Sequence, residues 1–152
     1  MQLRTATQYS VFLVNKPGVL AQVTRALAEE KINIVAMTLV DSSEHGVLRF
    51  VPANGPAAKQ VLTRLNLPMT ETEVLVVDLS NRPGALAEVA TVLGENHINI
   101  NYAYVTSGAP GGRTTGIFKV ADLAKAQKIL RSPAARPRET NLRRPGLRRE
   151  QP

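Results

Sequence analysis

The sequence predicts an α+β protein of two small units side by side, each an antiparallel sheet with helices on one face. Three observations lead there. A twenty-residue segment occurs twice; β-rich runs flank each copy; and each copy has helical spacing inside it.

The repeat sets the architecture. Residues 15–34 read NKPGVLAQVTRALAEEKINI, and residues 81–100 read NRPGALAEVATVLGENHINI. They align without a gap at an offset of 66, with eleven of twenty positions identical, far more than ordinary composition supplies. Weaker matches continue. GVLRF at 46–50 pairs with GIFKV at 116–120, after four extra residues in the second copy, and AKQVL at 58–62 pairs with AQKIL at 126–130. Two copies are too few to bury a solenoid core, so a pair of packed domains is expected.

Taken in order, YSVFLV at 9–14 is β-branched and aromatic and stops at a turn, the pattern of a strand. Asn15-Lys16-Pro17-Gly18 breaks it. Proline suits the start of a helix, where its missing N–H would be unpaired anyway. Leu20, Val23 and Leu27 follow at helical spacing, and Leu86, Val89 and Leu93 repeat them. INIVAMTLV at 32–40 and INYAYVT at 100–106 read as strands, with GVLRFV and GIFKV as hairpin partners. Second helices are expected at about 56–65 and about 121–131.

A last strand would complete the ferredoxin-like order βαββαβ in each copy. In copy one it is Thr70–Glu73, which runs without a linker into Val74–Leu79, so the two units are expected to be rigidly coupled. In copy two the segment after Leu130 holds four Pro and seven Arg, a composition of disorder. Either the second unit is truncated, or another segment fills the edge, with residues 2–8 a candidate. The expected boundaries are 8–73 for the first unit, 74–131 for the second, and 132–152 for a basic tail.

Composition narrows the function. Of the net charge of +7, residues 131–152 carry +5, so the body has no basic patch to suggest nucleic acid. There is no cysteine, which removes disulfides and thiolate chemistry. No apolar run reaches membrane-span length, and MQLRTATQYS lacks a signal-peptide stretch, so a cytoplasmic protein is expected. His45 and His97 face Gly and Lys across the repeat, and no carboxylate pair or metal spacing appears. No enzyme, metal or cofactor is therefore expected. The glycine-rich loop 107–112 lacks the Lys-Ser/Thr of a phosphate loop and reads as a long hairpin loop or lid.

The pattern strand–N-[KR]-P-G-x-L-A-x-V-x-x-x-L-x-x-x-x-I-N-I–strand resembles the ACT domain, a regulatory module of amino-acid metabolism, over roughly residues 8–130 in two copies. The resemblance implies an amino-acid ligand at the interface between paired domains, against the turn from first strand to first helix. In the serine-binding version two asparagines hold the effector; the matching positions are Asn15 and Asn33, and Asn81 and Asn99. A histidine two residues before the turn asparagine is replaced here by Leu13 and Leu79, which leaves side-chain specificity open.

The residues support this on their own terms. Gly18 and Gly84 allow close backbone approach, and the first helical turn offers N–H groups and a positive dipole end to a carboxylate. Asparagine matches a zwitterion because it both donates and accepts. The candidate ligand-binding set is Asn15, Pro17, Gly18, Val19, Leu20 and Asn33, with Asn81, Pro83, Gly84, Ala85, Leu86 and Asn99 in the second copy. Asn and Pro-Gly also serve simply as cap and turn residues. Asn33 and Asn99 carry more weight as polar residues between isoleucines of an expected buried strand. The function expected is a non-catalytic amino-acid sensor, a homodimer through an exposed sheet edge. The alternative is a regulatory subunit of a biosynthetic enzyme such as acetolactate synthase.

Overall fold

A computed structural model describes residues 1–41, 45–107 and 112–132. The expected tail and most of the glycine-rich loop lie outside the described residues. The elements are β1 (Gln2–Val14), α1 (Val19–Glu29), β2 (Ile34–Asp41), β3 (His45–Pro52), α2 (Gly55–Arg64), β4 (Met69–Ser80), α3 (Ala85–Glu95), β5 (Ile100–Ser107), β6 (Arg113–Val120) and α4 (Leu123–Arg131). The order is βαββα twice, as expected, with both strands at the centre longer than the sequence suggests.

All six strands join one antiparallel sheet in the order β2-β3-β1-β4-β6-β5. The centre is the long pair β1–β4, registered from Gln2↔Asp78 to Val11↔Met69. Thr7 sits opposite Glu73, its own counterpart in the repeat, so a pseudo-two-fold axis passes between them. The C-terminal half of β1 starts the first unit, and its N-terminal half lies where the second unit needs a last strand. The reverse holds for β4. Residues 2–8 thus take the place of a last strand in the second unit. The proposed units, 8–73 and 74–131, meet inside two shared strands.

Alternation sorts the side chains of each strand onto two faces. Tyr9, Val11, Leu13, Leu48 and Phe50 face α1 and α2, where Val23, Leu27, Val61 and Leu62 complete a core. Leu75, Val77, Leu79, Phe118 and Val120 face α3 and α4 with Val89, Val92, Leu93 and Leu130. All four helices lie on this face. The other face curls until β2 and β5, the two edges, come within 8 Å of each other. Ala36, Val51, Val74, Val76 and Ile117 bury a third, smaller core inside the curl.

Local chemistry ends each helix. Asn54 and Asp122 cap α2 and α4 by accepting from Ala57 N–H and Lys125 N–H at 3.1 and 2.9 Å. After α1 and α3 the chain turns through Lys31 and His97, both at φ 56°, and Ile32 and Ile98 N–H close back on Leu27 and Leu93 carbonyls.

One part of the repeat alignment needs correction. Tyr9 faces Phe50, and its counterpart Leu75 faces Phe118. GVLRF at 46–50 therefore corresponds to TTGIF at 114–118, not to GIFKV, and the second hairpin is longer by two residues, not four. A two-residue slip keeps every side chain on its own face, so hydrophobic alternation cannot detect it.

Candidate functional site

The first corner follows from its sequence. β1 ends at Val14, and Lys16 N–H turns back to the Val14 carbonyl at 2.9 Å. Gly18 takes φ 87°, a left-handed conformation that side chains with a Cβ rarely adopt. It is also the N-cap of α1, so no side chain caps the helix; Val19 N–H turns back to the Lys16 carbonyl at 3.4 Å, and the Leu20 and Ala21 N–H groups that follow it are left without a cap. The crossover through α1 makes β2 run parallel to β1, which brings its last residue to the same end. There Asn15 Nδ2 donates to Asp41 Oδ1 at 3.2 Å.

A cavity of about 270 Å³ opens at this corner. Leu13, Val14, Val19, Leu20, Leu39 and Val40 form its apolar wall. Asn15, Lys16 and Asp41 supply the polar groups, and Gly46 of β3 leaves room between them. Of the candidates in the first copy, Asn15, Val19 and Leu20 line the cavity. Pro17 and Gly18 shape the exposed turn beside it.

Asn33 does not join them. It precedes β2, at the far end of that strand from Asp41, roughly 25 Å away at about 3.3 Å per residue. It is exposed, with Ile32 buried behind it, and so is Asn99 beside buried Ile98. The premise of a buried strand position fails for both, because the strands start one residue later and both side chains point outward. Their carbonyls, rather, accept from Ala53 N–H at 2.8 Å and Ala121 N–H at 3.0 Å.

The second corner repeats the backbone with different contents. Gly84 takes φ 88° and caps α3 as Gly18 caps α1. Asn81 N–H donates to the Gly112 carbonyl at 2.9 Å. Arg82 folds over Pro83 and holds both carboxylate oxygens of Glu88 at 2.7 and 2.8 Å. Its guanidinium comes 3.8 Å from where a Cβ on Gly84 would stand, whereas nothing lies within 4 Å of that point on Gly18. Ala85 is buried, Leu86 is exposed, and Thr114 takes the place of Gly46 with its hydroxyl buried and unpartnered.

Sequence reasoning missed Asp41, Gly46, Leu39 and Val40. The available signal was an acidic residue ending the strand that the crossover makes parallel to β1. Inside the curl lies a second polar group. Gln8 is fully buried; its amide donates to Tyr102 Oη at 2.6 Å, and Tyr104 Oη donates to Gln8 Oε1 at 2.9 Å. The Arg49 guanidinium lies 4.4 Å over the Tyr102 ring. Among the described residues no cluster of His, Asp and Glu could hold a metal, and no helix is long and apolar enough to cross a membrane.

Comparison with known proteins fits this architecture. No curated protein matches the sequence. A crystal structure of a protein from Bacteroides thetaiotaomicron superposes with TM-score 0.77 at 29% identity, covering 84% of this chain and 88% of that one. The ligand-free regulatory subunit of aspartate kinase from Thermus thermophilus superposes with TM-score 0.62 at 16% identity, over 86% of this chain and 95% of that one. The corresponding subunit from Thermus flavus gives 0.57 at 20% identity, over 82% and 90%. These last two share the fold. The family profile described as an ACT domain pair matches residues 4–134, nearly the whole of both repeats, and the chain belongs to that family.

Proposed function

We propose that this protein is a non-catalytic cytoplasmic regulator that binds a free amino acid at the strand-to-helix corner of its ACT pair. The cavity beside Asn15 carries the reading. It brings an uncapped helix start, a carboxylate and an amide to one opening, which is what a ligand with both an ammonium and a carboxylate requires. About 270 Å³ is near the lower end of the roughly 300–1,000 Å³ typical of ligand pockets, a size suited to a single amino acid.

Occupancy would be passed on through the surface around the opening. Val14, Leu39 and Val40 of the cavity wall are 47–50% exposed, apolar surface that a monomer leaves bare. A second copy seated on it would make the cavity an interface between ACT domains. The same area supports the second reading, a regulatory subunit of a biosynthetic enzyme. Thermal-shift and calorimetric titration with the common amino acids tests the first. One should bind, and at a hundred times its Kd raise stability by about 2.7 kcal/mol. A flat response to the whole set removes the sensor reading, and co-purification of a catalytic chain would bring the second forward.

A further inference from the structure

We infer that the two corners are unequal: only the first is a ligand site, and its ligand is an amino acid with an uncharged aliphatic side chain. This rests on the sensor reading and narrows it.

The ligand class follows from the cavity wall. Six aliphatic side chains from β1, α1 and β2 line it, and its polar groups sit at one corner. Among the described residues Asp41 is the only carboxylate lining it; it already accepts from Asn15, so it is placed to take the ligand ammonium. The Leu20 and Ala21 N–H groups of the uncapped first turn of α1, with Lys16 beside them, take the ligand carboxylate. The aliphatic wall is then left for the ligand side chain. A charged or strongly polar side chain would lose its water against that wall without gaining a partner.

Register makes the second corner its own control. Asp41 faces Gly46, and the corresponding pair is Ser107 and Thr114. The second corner thus lacks the carboxylate, and a threonine fills the space that Gly46 leaves. Lys16 has Gln22 six residues on, whereas Arg82 has Glu88 and is drawn into an ion pair across the turn, its Nη2 donating to both carboxylate oxygens. The only cation of the second turn is therefore already neutralised by its own chain.

Isothermal titration of the full chain decides the matter. The titrants are L-leucine, L-isoleucine, L-valine and L-methionine, against L-serine, L-lysine and L-aspartate. The aliphatic group should bind at about one per chain. Asp41→Asn should weaken it by about ten- to a hundredfold, the value of one hydrogen bond to a charged group. Gly46→Thr, which copies the second corner, should abolish it. A Cβ on Gly46 meets Leu39, Val40 and Leu13 atoms at 3.5–3.9 Å, ordinary contact, so the backbone accepts the first atom of a side chain there. Asp41 is exposed, and Asp41→Asn carries the test if Gly46→Thr disturbs the hairpin. Preference for serine, lysine or aspartate overturns the inference, as does binding at two per chain or aliphatic binding indifferent to Asp41→Asn. Each of these leaves an amino-acid sensor standing. Silence across all seven overturns the inference, and titration with the remaining common amino acids then decides the sensor reading.

Discussion

At the strand tips of the first unit, the helix-free face carries Phe12, Val14, Val40 and Val47. At the same register positions the second unit carries Asp78, Ser80, Thr106 and Thr115. The second set satisfies itself, with Thr115 Oγ1 donating to Asp78 Oδ1 at 3.1 Å. The first leaves apolar surface in water. Both tips are built on the same backbone: a strand, a Pro-Gly turn with a left-handed glycine, and a helix. Duplication kept what folds the chain and let the chemistry at the tips differ. Local rules fix the corner; burial and charge decide what it holds.

If the scaffold is shared, damage to either half should unfold both. Phe50 and Phe118 are register counterparts, 0% and 1% exposed, one in each helix-facing core. Phe50→Ala and Phe118→Ala should each cost about 3–5 kcal/mol. In urea each should shift a single transition, because β1 and β4 belong to both halves. Two separated transitions in either variant would show that the units fold independently and that the shared strands do not couple them.

How far the sequence reached follows the same division. Repeat, turn, helices and hairpins are short-range patterns, and residues 9–14 and 81–100 show them openly. The long strand β4 was visible because no linker interrupts Thr70–Leu79. Residues 2–8 are not strongly apolar, so the sequence offered them only as one of two ways to complete the second unit, and pairing with β4 decides it. The hairpin offset stayed hidden because alternation has period two. At the site, Asn15, Val19 and Leu20 came from the motif. Asp41 reaches the corner only through the crossover of α1, a contact across twenty-six residues that no local spacing encodes. Asn33 misled because an Asn between two Ile looks buried in a strand when it in fact stands just before one.

Inside the curl the halves also differ. Gln8 and Val74 are counterparts; Gln8 bonds two tyrosines, while Val74 packs in an apolar cluster. Tyr104→Phe removes the hydroxyl that Gln8 Oε1 accepts from and should cost about 1–3 kcal/mol at neutral pH. Burial, with Tyr102 beside it, holds the Tyr104 phenol well above its ordinary value of 10.0, though Arg49 opposes this. The folded state therefore keeps this proton where the unfolded chain loses it. The stabilisation is complete below pH 10 and declines as pH rises beyond it. Urea titrations from pH 7 to 11 should show a shallower alkaline decline in Tyr104→Phe than in the parent. Equal slopes would mean that this phenol does not govern the decline.

The helix caps should be indifferent to the half they serve. Asn54 and Asp122 make the same bond at the same position, so Asn54→Ala and Asp122→Ala should each cost about 1 kcal/mol. Thermal melts of the two variants would sharpen the comparison. A difference above about 1 kcal/mol between them would mean that the scaffold is not equivalent in the two copies.

The smallest expected effect bears on the second corner itself. Arg82 and Glu88 are 51% and 42% exposed in their side chains, so water screens their attraction although Nη2 reaches both carboxylate oxygens. Glu88→Gln gives this corner the pairing chemistry of the first, where Gln22 stands below Lys16. Stability should fall by less than about 1 kcal/mol, and by less still in high salt. Thermal melts at low and high ionic strength measure this directly. A loss well above that bound, insensitive to salt, would make the ion pair a structural clasp of the turn. The contrast between corners would then originate in folding, with the guanidinium needed to hold Gly84 in place. A loss within the bound leaves Arg82 as a charge that its own helix neutralises at little cost to the fold.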